Sequence, residues 1–282
     1  MIQITSDSTC DLGKYVEARG IGIMPLTVIL GDVPHSDGVD IVPQDIFDYV
    51  ERTGELPKTA APSIGDYEDF FRPYVEEGKT VIHFSISAKA SSACSYAQEA
   101  AKAFPCKVFV VDSKALSTGQ GLLIMKAADL RDAGVSAEEI VEKVNALRPY
   151  VNTSFVPDRL DYLYKGGRCS RMAFYGATLL KFHPLIEMRD GQLTADKKYR
   201  GGMVKCIEQY IDDLAVKYPK YEKTRCFITN SMADEAVVEA ARKKVAEKFS
   251  FDEVLETVAG SVITGHCGRN TLGVLFIAEE NE

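Results

Sequence analysis

Residues 80–113 read TVIHFSISAKASSACSYAQEAAKAFPCKVFVVDS. TVIHFSIS is an apolar run of strand length, and KVFVVDS is another. Between them, SSACSYAQEAAKAF is rich in helix formers and opens on serines that suit a helix start. Two strands too apolar to face water, joined by a helix, make a βαβ unit with parallel strands covered on both faces.

The alternation continues on either side. IQITSDS (2–8) and MPLTVIL (24–30) read as further strands. DLGKYVEARG (11–20), IGDYEDFFRPYVEEG (64–78) and STGQGLLIMKAADLRDAG (117–134) read as helices, the first with Ser8 and Asp11 spaced as a capping box. Residues 31–61 interrupt the pattern and read as an irregular excursion carrying one helix, PQDIFDYVERTG.

Beyond SAEEIVEKVNALRPY, where Ser136 and Glu139 are again spaced as a cap, the pattern changes. HPLIEMRDGQLTADKKYR (183–200) predicts a hairpin turning at Asp190-Gly191. Met203, Ile207, Tyr210, Ile211 and Leu214 then share one helix face. CFITN, EVLETVAG and LGVLFIA supply more strands, with a helix over 233–248. The expected architecture is a doubly wound α/β domain over 1–150 and an α+β domain over 151–282.

A chain of 282 residues, 46% hydrophobic and 26% charged, is ordinary for one or two globular domains. The net charge of −8 leaves no basic excess to neutralise phosphates, which argues against a nucleic-acid partner. No apolar run reaches the roughly 18 residues that span a bilayer, so no stable membrane insertion is expected. The start MIQITSDS lacks the basic and apolar parts of a signal peptide, which points to the cytoplasm. Seven scattered cysteines with no CxxC pair argue against a disulfide framework and a zinc module. Neither a metal nor a cofactor is expected.

Glycine-rich nucleotide loops, a GxSxG elbow and an HExxH helix are all missing. Present instead are hydroxyls where strands hand over to helices: Thr59 and Ser63, then Ser85, Ser87, Ser91 and Ser92, then Asp112, Ser113 and Ser117. Such turns either cap helices or hold an anion on free N–H groups. Lys165, Arg168 and Arg171 cluster positive charge on an acidic chain, and the glycine pair before Arg168 allows a tight backbone path. ITGHCGRNTLG (263–273) places His266 in a glycine-punctuated loop before the last strand. On residue type alone it could be a metal ligand, a base, an anion contact or a surface residue.

The chain resembles the DegV family of fatty-acid-binding proteins nearly end to end. The marks are ITSDSTCDL (4–12), TAAPS (59–63), the serine block 86–91, VVDS (110–113) and LDYLYKGGR (160–168). GATLLKFHPLIEMRDGQL (176–193), KKYRG (197–201) and HCGRNTLG (266–273) complete them. The resemblance implies a long-chain fatty acid buried between two domains. It also implies presentation of the carboxylate to a separate fatty acid kinase, which makes an acyl phosphate for phospholipid synthesis. On that basis Thr59, Ser91 and His266 hold the carboxylate with Arg200 nearby, and Ser63, Ser92 and Asn270 are secondary contacts. Lys165, Arg168 and Arg171 are read as the kinase-docking patch, and FYGATLLKF and ALSTGQGLLIM as tunnel lining. The chain departs from the family in TAAPS for the usual TSQPS, in Ser91-Ser92-Ala93-Cys94 for SGTY, and in Arg269 for a proline. Two alternatives stand beside this reading: a lipid esterase built on Ser91, Asp112 and His266, and a small-ketone subunit like that of dihydroxyacetone kinases.

Overall fold

The computed structural model describes residues 1–168 and 182–279. From the N-terminus, β1 (Ile2–Asp7) leads through a 3-10 turn (Ser8–Cys10) and α1 (Tyr15–Ala18) to β2 (Gly22–Met24). There follow β3 (Thr27–Leu30), β4 (Val33–Ser36), α2 (Pro43–Thr53), β5 (Lys58–Ala60) and α3 (Ile64–Glu76). Next come β6 (Thr80–Ser85), α4 (Ala93–Ala101), β7 (Val108–Asp112), α5 (Ser117–Asp132) and α6 (Ala137–Leu147). After a second 3-10 turn lie β8 (Val151–Asn152), β9 (Ser154–Val156), α7 (Asp161–Lys165), β10 (His183–Arg189) and β11 (Gln192–Tyr199). The chain closes with α8 (Met203–Lys217), β12 (Tyr221–Ser231), α9 (Glu235–Lys248), β13 (Glu253–Val258), α10 (Ser261–Cys267) and β14 (Thr271–Ala278).

The first sheet, β2-β1-β6-β7, is wholly parallel. The second runs β11-β10-β9-β14-β12-β13 with β8 on β14, and is antiparallel except where β12 meets β13. An α/β layer and an α+β layer are thus both present. The two sheets share a core through α5. Leu122, Leu123 and Ile124 of that helix are buried in one cluster with Ile4, Ile82 and Phe84 of the first sheet and Phe227, Leu275 and Ile277 of the second. Such a helix needs close approach on more than one side. A Cβ at Gly119 would stand 2.0 Å from Thr153 Oγ1, and one at Gly121 would stand 2.8 Å from Leu12 Cδ2. Most of ALSTGQGLLIM is therefore packed core rather than tunnel wall.

Five local expectations are corrected. The excursion 31–61 is ordered: β4-β3-β5 form a small antiparallel sheet, and α2 follows the sequence as read. MPLTVIL is two strands in two sheets, because Pro25 has no N–H and restricts the residue before it. The helix over 11–20 shrinks to α1, with Asp11 at φ 51 and Gly13 at φ 51. The Ser8–Asp11 capping box does not form: Ser8 Oγ accepts from Leu26 N–H, and the Asp11 carboxylate turns inward to Ser117 and Gly260. His266 lies in the last turn of α10, not in a loop.

His83, central in β6, is fully buried against Tyr67, Phe70 and Phe71, with Nδ1 3.0 Å from Thr5 Oγ1. Burial pushes its imidazole down to about 3 from an ordinary 6.5. The unfolded chain takes up the proton first, so the stability this group contributes is intact above about pH 6.5 and is lost as pH falls toward 3. Urea unfolding from pH 6.5 to 4 should show a falling stability with a slope of up to about 1.4 kcal/mol per pH unit from this residue. His83→Gln should remove that slope. An unchanged slope would assign acid sensitivity to other groups.

Candidate functional site

Three loops from distant parts of the chain meet at the C-terminal edge of the first sheet. Residues 87–92 leave β6, and Ser91 accepts from Ala93 N–H at 3.2 Å as α4 begins. That bond leaves the Ser91 hydroxyl hydrogen available to an acceptor in front of it. Ser92 makes no cap bond to α4, whereas the deeper serines at this edge have structural partners. Ser85 donates to Asp7 at 2.9 Å, Ser87 to Gly191 O at 2.7 Å, and Ser117 to Asp11 at 2.5 Å. Ser63 forms a reciprocal cap with Asp66, so it serves α3.

A cleft of about 350 Å³ opens here, lined by Thr59, Lys89, Ser91, Ser92 and Arg168 among others. Thr59 projects from β5, and its Oγ1 lies 3.0 Å from His266 Nε2. The imidazole sits behind the threonine, half-buried, at the end of α10. Burial, then the Arg168 charge, holds it down near 4, so it is neutral at neutral pH. Arg168 reaches the cleft by the turn after α7, where Gly167 has φ +70 and Arg168 Nη1 donates to Gly166 O at 2.7 Å.

The β10–β11 hairpin closes one side. Asp190 at its tip pairs with Lys89 and Lys114, each at 2.7 Å, and these two cations hold its carboxyl down to about 2. Being exposed, the pairs orient the tip more than they stabilise the fold. Beneath the cleft an apolar cluster includes Ile86, Leu116, Phe155, Leu163, Ile186 and Ile263, with Ala61 and Ala90 packed at its cleft side. Leu116, Phe155, Ile263 and Cys267 of that cluster also wall a cavity of about 30 Å³ between the second sheet, α10 and the start of α5, room for about two waters.

The sequence-read residues thus fall into groups. Thr59, Ser91, Ser92 and Arg168 share the cleft, with His266 behind Thr59. Arg200 is exposed with its guanidinium 5.9 Å from the Phe182 ring. Asn270 bonds Asp158 at 3.1 Å and Asp234 N–H at 3.1 Å, a role in loop packing. Lys165 ends α7, while Arg171 and all of FYGATLLKF but Phe182 lie outside the described residues. The Ser91–Asp112–His266 relay is not assembled: His266 Nε2 faces Thr59, and Asp112 Oδ1 accepts from Ala88 N–H and Lys114 N–H. Sequence reasoning missed Lys89 at the cleft. It also missed Asp11 and Asp37 at the start of α10, although ITSDSTCDL contained the first of them. Among the described residues no His, Cys, Asp and Glu group could hold a metal, and no helix is long and apolar enough to cross a membrane.

A family model described as "Uncharacterised protein, DegV family" matches residues 1–279. The chain belongs to the DegV family. A DegV domain-containing protein of Clostridium acetobutylicum is 30% identical over 278 residues, covering 98% of each chain. Among solved structures, a fatty-acid-binding DegV family protein from Thermus thermophilus superposes with a TM-score of 0.92 at 29% identity, covering 99% of each chain. A stearic-acid-binding protein from Eubacterium ventriosum superposes with a TM-score of 0.83 at 27% identity, over 99% of this chain and 98% of that one. The stretch LDYLYKGGR, residues 160–168, places a glycine pair before Arg168. A Cβ at Gly166 would stand 2.7 Å from His266 Nδ1, so the motif leaves room for the imidazole.

Proposed function

We propose that this chain is a carrier that binds one long-chain fatty acid, with its carboxylate in the cleft and its tail along the apolar cluster toward the cavity between the second sheet and α10. The observation that carries this reading is the Thr59–His266 pair, at one end of a polar cleft backed by continuous apolar packing. Solved relatives described as fatty-acid-binding support it.

The chemistry divides between tail and head. About fifteen methylenes at roughly 0.8 kcal/mol each give a gross gain near 12 kcal/mol, before association losses of about 4–15 kcal/mol. The carboxylate needs donors in exchange for water. Ser91 and Thr59 offer hydroxyls, Ser92 is a secondary one, and Arg168 adds charge. For Thr59 to donate to the carboxylate, His266 must donate Nε2–H to Thr59 Oγ1, which selects that tautomer of the neutral ring. Each hydrogen bond to the charged group contributes about 1.5–3 kcal/mol.

In this reading the chain performs no chemistry itself. It presents the carboxylate at the cleft mouth to a fatty acid kinase, with Lys165, Arg168 and Arg171 as the docking patch and Arg200 as an outer cation. Cations there would offset charge that builds up in phosphoryl transfer. The small-ketone alternative has no use for the apolar cluster.

The test is solvent extraction of natively purified protein and mass spectrometry, followed by rebinding of palmitate to delipidated protein. About one long-chain acid per chain is expected. No acid above a delipidated control, and no rebinding, would overturn the carrier reading.

A further inference from the structure

The helix that carries His266 has no cap of its own. Residue 260, at its N-cap position, is a glycine with no side chain to offer the first N–H groups of α10. Two side chains from the other half of the chain do this instead. Asp11 Oδ1 accepts from Gly260 N–H at 2.8 Å, and its Oδ2 accepts from the Ser117 hydroxyl at 2.5 Å. Asp37 Oδ1 accepts from Ser261 N–H at 2.8 Å, and the nearby Ser8 hydroxyl and Val262 N–H oppose the effect of burial on its acidity. A Cβ placed on Gly260 would lie 3.3 Å from oxygens of both acids, so the two meet across the helix start.

Both carboxylates are buried, at 5% and 3% exposure. Burial pushes Asp11 up to about 8, with Asp37 and Asp7 adding to it, and raises Asp37 as well. An arrangement this costly is kept where placement matters. The placement concerns the far end of the same element. At about 1.5 Å per residue, seven residues make a stiff rod of roughly 10 Å. Its first turn sits on Asp11 and Asp37, and its last turn puts Nε2 3.0 Å from Thr59. The 31–61 excursion holds both ends, by Asp37 at one and Thr59 of β5 at the other, while Val262 packs on its Ile41 and Ile46 and on Val28 of β3.

We propose that Asp11 and Asp37 are positioning residues for the head-group cleft, fixing the register of α10 so that His266 holds the Thr59 hydroxyl toward a bound carboxylate. This rests on the carrier reading above. Neither acid touches ligand; each acts through the helix start, His266 and then Thr59. The consequence falls chiefly on the head group: the tail path does not run through the Thr59–His266 contact, and because Ile263 of the same helix borders that path, the readout is the ratio of the two affinities.

The experiment compares palmitate with methyl palmitate, which has the same tail and no anionic head. Affinities of both for delipidated full-length protein are measured by displacement of a fluorescent lipid. In wild type, palmitate should be preferred. In Asp37→Ala that preference should fall about tenfold, the order of one lost helix cap, with a smaller change in methyl palmitate affinity through Ile263. Asp37→Asn keeps a carbonyl acceptor for Ser261 N–H and should recover most of the preference. Asp11→Ser, a milder change too short to bridge Gly260 and Ser117, should lower it about threefold and serves where the alanine variant does not fold. A general loss of structure would lower both affinities together, so a parallel fall, or an unchanged preference in Asp37→Ala and Asp11→Ser, overturns the positioning role while the carrier reading stands. Wild-type protein that binds neither lipid overturns the carrier reading and the positioning role with it.

Discussion

Ile263→Trp should leave the purified protein without bound fatty acid and weaken palmitate rebinding at least a hundredfold. Ile263 is 7% exposed, belongs to the apolar cluster under the cleft, and walls the small cavity between the second sheet and α10. An indole there occupies the path that the proposed tail follows. If about seven methylenes lose their burial, the loss is near 6 kcal/mol at 0.8 each, or about four decades of affinity before repacking recovers part of it. Overpacking costs the fold about 1–3 kcal/mol, so unfolding must be followed beside binding. Ser91→Ala offers the contrast. It removes one head-group donor, worth about 1.5–3 kcal/mol, and leaves the tail contacts alone. Rebinding should therefore rank wild type, Ser91→Ala, then Ile263→Trp. A folded Ile263→Trp protein that binds palmitate within fivefold of wild type would place the tail elsewhere.

The elements that sequence reasoning found are those whose signal is local. The strands β6 and β7 are short apolar runs buried in a parallel sheet, and α8 turns one apolar face to the core. The Asp190-Gly191 turn and the Ser136 cap are signals within a few residues. What was misread depends on partners far along the chain. α10 has no start signal because its caps come from Asp11, 249 residues before Gly260, and from Asp37. Seven residues are also too few for a helical period to show. His266 therefore looked like a loop residue, and Asp11 like a cap for its own neighbourhood. The candidate site has the same character: Thr59 and His266 are 207 residues apart, and only the resemblance to the family brought them together in advance.

Gly166→Ala and Gly167→Ala should differ sharply, although the two residues are adjacent in one motif. At Gly166 the backbone is ordinary, with φ −70 and ψ −9, so alanine meets no conformational objection. Space is the objection: its Cβ would lie 2.7 Å from His266 Nδ1 and 2.9 Å from Tyr162 O. Tyr162 O already accepts the Gly166 N–H at 2.9 Å, so the backbone is poorly placed to give way and the imidazole must move. Gly167 is the reverse case, with φ +70 and nothing within 4 Å of an added Cβ. Alanine there costs about 1–2 kcal/mol of backbone strain and reaches nothing in the cleft. Gly166→Ala should accordingly break the Thr59–His266 bond and cut the preference for palmitate over methyl palmitate more than tenfold, with about 1–3 kcal/mol of stability lost to crowding. Gly167→Ala should lose similar stability and keep the preference within twofold. Matched stability with divergent head-group discrimination is what separates a crowded imidazole from a merely weakened turn. Discrimination retained in Gly166→Ala would show that the cleft holds its carboxylate without His266, leaving Ser91 and Arg168 to do so.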